Sequence, residues 1–505
     1  MITNRHKHIT LGHFQICATS GNRQCGTIFG RVFTRNEMKS YCVTFDYESI
    51  TISRDVLDRL VLVKLNGGLG TTMGCYGPKS FIKVKGELSF LDIARQQHKV
   101  FNETHHCDVP LILMNSFYTD ELTIRELGKN SNVRTFCQSR CPRIDSETLL
   151  PVEETDEKQK WYPPGHGDIF HSLAVSGLLD ELLQQGELYF CQIMWYPPGH
   201  GDIFHSLAVS GLLDELLQQG ELYFCQIMWY PPGHGDIFHS LAVSGLLDEL
   251  LQQGRDIMFV SNIDNTGATL DLKIAQFACD EAVDYIMECT TKTQSDIKGG
   301  TLIDIAGQLM HLEIPQVPPE HLDEFCSTRT FKIFNTNNIW VNLNAVKQRL
   351  ETISSEIIVN KKILNNRVII QLETSIGGCI RNFPSSYCVH VKRSRFLPVK
   401  KTDDLLAISS DLYFIGPDRS LKLIEERDSA PIIQLGKYFQ TVDEFHARFD
   451  DYPNICDLRS LKIEGDVRFE KNVTLKGDVN IVNNSGKQQI ISSGTLINNE
   501  RVVFN

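Results

Sequence analysis

The chain has 505 residues, room for two or three domains with sizeable cores, and its 62 acidic against 50 basic residues give a formal net charge of −12. That balance disfavours nonspecific binding to nucleic acid or an anionic membrane, so a phosphate site must be a local concentration of lysines and backbone amides. No stretch is apolar over the length of a membrane-spanning helix, and Met1–Ser20 lacks a signal-peptide core. The 15 cysteines, an odd number without CxxC pairs, predict reduced thiols in a cytoplasmic chain.

Residues 1–54 hold strand-like fragments such as Tyr41–Phe45 and suggest no role. From about Asp55 the pattern alternates. Leu60–Val63 reads as a strand, Phe90–Phe101 as a helix capped by Ser89, and Leu111–Met114 as a strand. Thr119 is then expected to cap a helix over Glu121–Leu127, and Val133–Phe136 returns as a strand. Ile257–Val260, a helix-like Ala268–Ala278 and Asp284–Glu288 continue the series. Such alternation predicts a doubly wound α/β domain with a mostly parallel sheet, whose sites lie beyond the carboxyl ends of strands.

The first of those strands runs into Leu65-Asn66-Gly67-Gly68-Leu69-Gly70-Thr71-Thr72-Met73-Gly74-Cys75-Tyr76-Gly77-Pro78-Lys79-Ser80. Glycine lets a backbone turn tightly and set bare N–H groups against a phosphate or base, and Lys79 adds a positive charge at the far end. The loop is not a P-loop, because Pro78 separates Gly77 from Lys79. Nor is it a dinucleotide fingerprint, since Thr71, Thr72 and Met73 follow Gly68-Leu69-Gly70. Phosphate- or nucleotide-binding chemistry fits it better than a plain turn.

Towards the C-terminus Val467, Val473 and Val479 recur every six residues, with Phe469, Leu475 and Ile481 two positions on. This hexad reads as a small β-helix, with an antiparallel sandwich as the alternative. A second periodicity is literal. Trp161–Asp168 opens a segment that recurs at Trp195 and Trp229, letter-identical through Gly186, Gly220 and Gly254. True repeats diverge, so duplication or a sequence error explains this identity better than a helical-repeat scaffold does. The third copy runs without interruption into Ile257–Val260. Choosing it leaves 161–228 as one insertion in a loop, where long insertions cost little closure entropy.

The glycine loop resembles the signature of eukaryotic UTP–glucose-1-phosphate uridylyltransferases (UDP-glucose pyrophosphorylases). Leu113–Phe117, Gln138–Arg140, the Trp-Tyr-Pro-Pro-Gly-His-Gly-Asp segment, Val260–Asn265, Phe334–Asn338 and Arg395–Lys400 recur in the family's order over residues 55 to 505. UDP-N-acetylhexosamine pyrophosphorylases are less similar, since they carry arginine after the loop's threonine, where this chain has Thr72-Met73. The resemblance implies a Rossmann-like nucleotidyltransferase domain over 55–405 and a C-terminal β-helix over 406–505 that mediates homo-oligomerisation. It implies transfer of uridylyl from UTP to glucose 1-phosphate, with release of pyrophosphate and magnesium (Mg2+) as cofactor. Both reactants are anionic, so positioning and charge neutralisation must carry the rate.

The implied roles are these. Leu65, Asn66, Gly67 and Gly68 present backbone groups to the nucleotide, with Gly67 and Gly68 also facing the sugar phosphate. Lys79 lies on the triphosphate, and Gln138 reads the uracil edge, since an amide both donates and accepts. Gly233 lets the backbone approach the base, and His234 reaches the sugar phosphate; Gly165 and His166 are their counterparts if the first copy fills the site. Asn262, Ile263, Asp264 and Asn337 contact the sugar side, and Asp264 is also the magnesium ligand on the UTP side. Lys400 neutralises the transferring phosphoryl group as the catalytic residue and also binds UTP. Lys298 is a lesser phosphate candidate. Tyr76 stands where the family has lysine, which leaves open an inactive paralogue serving as an oligomer subunit. The sugar is left open between glucose and galactose 1-phosphate.

Three clusters carry bland readings. His6, His8 and His13 read as a solvated tail, and Cys137 with Cys141 lacks the second pair that a metal site needs. The basic run Lys392, Arg393, Arg395, Lys400 and Lys401 reads as a phosphate-facing or solvated edge rather than a nuclear signal.

Overall fold

The computed structural model describes residues 24–28, 31–34, 42–43, 50–129, 131–139, 141–149, 229–230 and 234–505, save 294–295, 298, 306–307, 351, 354–356 and 365–366. The tandem copies over 161–228, Gly233, Lys298 and the three N-terminal histidines therefore lie outside the described residues.

Eight strands form the central sheet: β1 (Cys42–Val43), β2 (Leu60–Asn66), β3 (Leu111–Asn115), β4 (Arg134–Cys137), β5 (Ile257–Asn262), β6 (Tyr285–Thr291), β7 (Ile333–Asn342) and β8 (Ser386–His390). Their spatial order is β1-β8-β6-β7-β5-β2-β3-β4. Every neighbouring pair is parallel except those made by β7, which runs antiparallel to both β5 and β6. The mostly parallel doubly wound sheet expected from the alternation is present. The antiparallel strand near its middle was not expected, and the fragment around Tyr41 turns out to supply the edge strand β1.

Alternation within strands sorts the two faces. Leu60 and Leu62 of β2 pack with Leu91 and Ala94 of helix α1 (Phe90–His105) and with Ile274 and Ala278 of Leu272–Asp280. Val61 and Val63 face the other way, onto Ile237, Phe238 and Leu241 of Ile237–Val243 and Leu247 and Leu250 of Leu246–Gln252. Helices thus cover both faces, as buried parallel strands require. The last two come from the third tandem copy. Gly245, at φ +78°, divides the two helices from each other.

Local signals explain most ends. Ser89 and Asp92 form a reciprocal capping box, Asp92 N donating to Ser89 Oγ at 3.1 Å and Ser89 N to Asp92 Oδ2 at 2.9 Å. Thr119 does not cap its helix, Asp120–Leu127. Its hydroxyl donates instead to the carbonyl of Asn66 at 2.8 Å, tying that helix to the end of β2.

Contact density divides the chain into two units. The smaller, Arg140–Pro232 with Val359–Glu373, contains the antiparallel pair Cys141–Pro142 and Trp229–Tyr230, and Ile144–Asp145 against Arg367–Thr374. The larger holds the central sheet and the C-terminal segment. There Ile432–Gln434, Leu458–Glu464, Thr474–Asn483 and Arg501–Phe504 pair in parallel, in that order. Leu461 lies beside Val479 and Ile463 beside Ile481, three six-residue steps apart, and the predicted hexad residues are buried. No helix among the described residues is long and apolar enough to cross a membrane.

Candidate active site

Parallel pairing brings several strand ends to one edge. Leu65 of β2 lies beside Asn262 of β5, Asn66 beside Asn115 of β3, and Asn115 beside Cys137 of β4. The glycine loop, Gln138 and Asn262-Ile263-Asp264 therefore leave the sheet side by side, at the position such a fold reserves for ligands. Leu65 and Ile263 are joined through their backbones, Ile263 N donating to Leu65 O at 3.2 Å, and the Ile263 side chain is buried.

Left-handed glycines fold the loop back on itself. Gly70 (φ +62°) and Gly74 (φ +69°) bracket the turn Thr71–Met73, and Lys79 N donates to Gly68 O at 2.9 Å. Gly68 stays exposed, with nothing where a Cβ would stand. Lys79 Nζ pairs with the Asp264 carboxylate, the two side chains 18% and 14% exposed. A cation and an anion from different strand ends thus meet at the mouth. Tyr76 is 96% exposed.

Gln138 lies almost fully buried against Gly67, so close that a Cβ at residue 67 would collide with its amide nitrogen. Its Oε1 is buried without a hydrogen-bond partner. Such an acceptor is costly unless something completes it. Asn66 precedes Gly67 at the end of β2. It is buried, its carbonyl accepts from Thr119, and its side-chain amide donates to Asn115 at 2.8 Å and Thr123 at 3.0 Å. Its side-chain Oδ1, like Oε1 of Gln138, is buried without a hydrogen-bond partner.

On the other flank, Asn337 Nδ2 donates to Asn262 Oδ1 at 2.9 Å. Asn337 takes φ +59°, a conformation asparagine tolerates better than most residues. Its N–H donates to Asn335 Oδ1 at 2.8 Å, which leaves Asn335 Nδ2 to donate to His311 Nε2 at 3.0 Å. His311 is held in a slot where a Cβ at Gly300 or Gly377 would strike its ring. Burial pushes its pKa down to about 4, so the ring is neutral and its contact with Glu313 at 3.7 Å is no ion pair.

Lys400 follows a segment pinned to the end of β5. Asn265 bridges Pro398, its Oδ1 accepts from Leu397 N at 2.8 Å, and its Nδ2 donates to Arg395 O at 3.1 Å. Lys400 itself is exposed, with its backbone N–H donating to Asp404 at 2.8 Å. The basic run is not a uniform edge: Arg393 pairs with Asp296 and Arg395 with Glu288. His234 begins a short helical turn at Asp236's level, and Asp236 accepts from Ser139 N at 2.7 Å, which joins the third copy to the residue after Gln138.

No group of three or more His, Cys, Asp or Glu residues suited to a metal occurs among the described residues. Asp264 is a single carboxylate at a strand end. That suits a cation which takes one or two protein oxygens and completes its shell with water and phosphate. One residue the sequence reading passed over is Lys64, buried mid-strand, with Nζ donating to Ser261 Oγ at 2.8 Å and Ala268 O at 2.7 Å. Burial, then the Arg395 charge, push its pKa down to about 7. A lysine interrupting Leu60–Leu65 was the available signal.

A family profile described as UTP–glucose-1-phosphate uridylyltransferase matches residues 32–193, 191–227 and 225–476, its breaks falling within the tandem copies. The chain is 41% identical over 464 residues to a UTP–glucose-1-phosphate uridylyltransferase of Hordeum vulgare, covering 90% of this chain and 84% of that one. It is 41% identical over 462 residues to that of Saccharomyces cerevisiae, covering 89% and 79%. Among solved structures it is similar to UDP-glucose phosphorylase of Trypanosoma brucei, with TM-score 0.73, 31% identity and coverage of 92% and 91%. A UDP-glucose pyrophosphorylase mutant of Leishmania major in complex with UDP-glucose matches at TM-score 0.69 and 26% identity, again over 92% and 91%.

Proposed function

This chain belongs to the UTP–glucose-1-phosphate uridylyltransferase family, and we propose that it joins UTP to glucose 1-phosphate, forming UDP-glucose and pyrophosphate. The observation that carries this is the Lys79–Asp264 pair beside the glycine loop, where two parallel strands end. The sugar phosphate attacks the α-phosphorus in line and pyrophosphate leaves. Neither reactant needs a general base, so the protein's task is to hold anions together.

Gly67 and Gly68 offer open backbone to the nucleotide, and the unpartnered Gln138 Oε1 accepts from the uracil N3–H. The triphosphate competes with Asp264 for Lys79, which turns the loop's cation towards the ligand. Asp264 would hold magnesium, which supplies charge neutralisation on the phosphates when bound. Asn262 and Asn337 hydrogen-bond the sugar, their mutual bond fixing both amides. Lys400 neutralises the transferring phosphoryl group. Gly233 and His234 of the third copy serve base and sugar phosphate; support comes from the buried helices that follow them.

The C-terminal coils form a β-helix through which copies of the chain associate; the parallel pairings three hexads apart support the first part. Free thiols at Cys75, Cys107, Cys279 and Cys289 suit the cytoplasm. The test is pyrophosphate release from UTP with glucose 1-phosphate and, separately, galactose 1-phosphate, with and without magnesium. No release from folded protein at millimolar substrates would favour the inactive-subunit reading; preference for galactose would change the sugar.

A further inference from the structure

We propose that Glu288 is a positioning residue for Lys400, acting through Arg395; this rests on the role given to Lys400 above. Glu288 lies on β6, with no exposed side-chain surface. Its carboxylate is fully engaged. Arg395 donates to it twice, Nε to Oε2 at 2.8 Å and Nη2 to Oε1 at 2.6 Å. Asn338 Nδ2 donates to Oε2 at 3.0 Å and Trp340 Nε1 to Oε1 at 2.9 Å. The indole is itself fixed by stacking on Phe259, ring centroids 4.4 Å apart.

Two parts of the molecule converge on this one side chain. Asn338 and Trp340 belong to β7, the strand that carries Asn335 and Asn337. Arg395 begins the segment that ends in Lys400. Asn338 and Asn265 share a hydrogen bond at 3.1 Å, and both donate to the Arg395 carbonyl, at 3.3 and 3.1 Å. The guanidinium also reaches Thr269 O at 2.9 Å, just past Asp264-Asn265. The carboxylate therefore fixes where the 395–400 segment starts, and Asn265 fixes it again at Leu397. Lys400 is exposed, and its reach depends on that backbone path. A buried, bidentate, fully bonded pair is rigid in a way an exposed lysine cannot be. Placement errors near 1 Å at a reacting group cost roughly a hundredfold in rate.

A double-mutant cycle tests this. Glu288→Gln keeps the shape and removes the charge that holds the guanidinium. It is expected to lower kcat roughly tenfold or more, with the KM for UTP changed less than about twofold. In a Lys400→Ala background the same substitution should cost less than about twofold, because the group it positions is gone. If Glu288→Gln multiplies the loss in full in that background, or leaves kcat intact in folded protein, the proposal is overturned. Arg395→Lys, which keeps the charge but loses the two-pronged geometry, runs the same cycle should Glu288→Gln not fold. If Lys400→Ala alone leaves kcat unchanged, the role of Lys400 fails and the positioning role falls with it, an outcome distinct from full additivity.

Discussion

The two lysines given roles in the proposed reaction, Lys79 and Lys400, stand on two differently built supports. Lys79 ends a glycine loop whose shape comes from left-handed glycines, and its side chain is already paired with Asp264. Lys400 ends a segment held by buried side chains of β6 and β7, and its own side chain reaches into solvent. The loop is shaped by what its residues lack; the segment is shaped by partners 57 to 132 positions away. A cation satisfied at rest suits binding, because a polyphosphate replaces one anion by another. A cation left in solvent on a rigid stem suits a charge that develops only during transfer.

Substitution of each lysine tests that division. Lys400→Ala should lower kcat by roughly 10²–10³-fold, the scale for losing one preorganised electrostatic stabiliser, with the KM for UTP little changed. A loss under about fivefold would show that the segment is not at the transferring phosphoryl. Lys79→Ala removes a charge-assisted contact of about 1.5–3 kcal/mol and should raise the KM for UTP roughly 10–100-fold, with the smaller effect on kcat. Steady-state kinetics showing the reverse pattern would exchange the two roles.

The asparagine flank adds a smaller effect. His311 is neutral in the fold down to about pH 4, whereas in the unfolded chain it takes up a proton near its ordinary 6.5. Between those values the unfolded state binds more protons, so the stabilising contribution is complete above pH 6.5 and is lost as pH falls. About 1.4 kcal/mol should be gone at pH 5.5. His311→Leu should flatten that part of the stability–pH curve, measured by urea unfolding. An unchanged slope would place the acid sensitivity elsewhere.

The smallest effect concerns the tandem copies. Deleting 161–194 or 161–228 should leave activity equal to or above that of the full chain, since the third copy supplies the helices packed under the sheet. His234→Ala should weaken sugar-phosphate use, while His166→Ala and His200→Ala change little. Should His166→Ala be the damaging substitution, the first copy fills the site.

What could be foreseen followed from local pattern. Leu60–Val63, Leu111–Met114 and Ile257–Val260 are unbroken apolar runs ending in polar residues, so strand ends and the residues beyond them were readable. Ser89 with Asp92 is a signature four residues long. What escaped depends on distant partners. Nothing near Thr119 says that its hydroxyl serves Asn66, nor near Glu288 that Arg395 answers it. Asn66 stands in the loop signature, and nothing in that signature says that its side-chain amide serves Asn115 and Thr123.

The turn Thr71–Met73 does not rest on the sheet alone. Met73 is buried in one apolar cluster with Phe439, Phe445, Phe449 and the hexad residues, and a Cβ at Gly74 would stand 2.6 Å from Thr441 Cγ2. The loop and the C-terminal coils therefore belong to one cooperative folding unit. Local opening of the loop must break packing that the coils share, so its amides should exchange with solvent nearly as slowly as those of the coils. For a glycine-rich loop that is unusual protection, and it means the loop's order depends on distant residues it packs against.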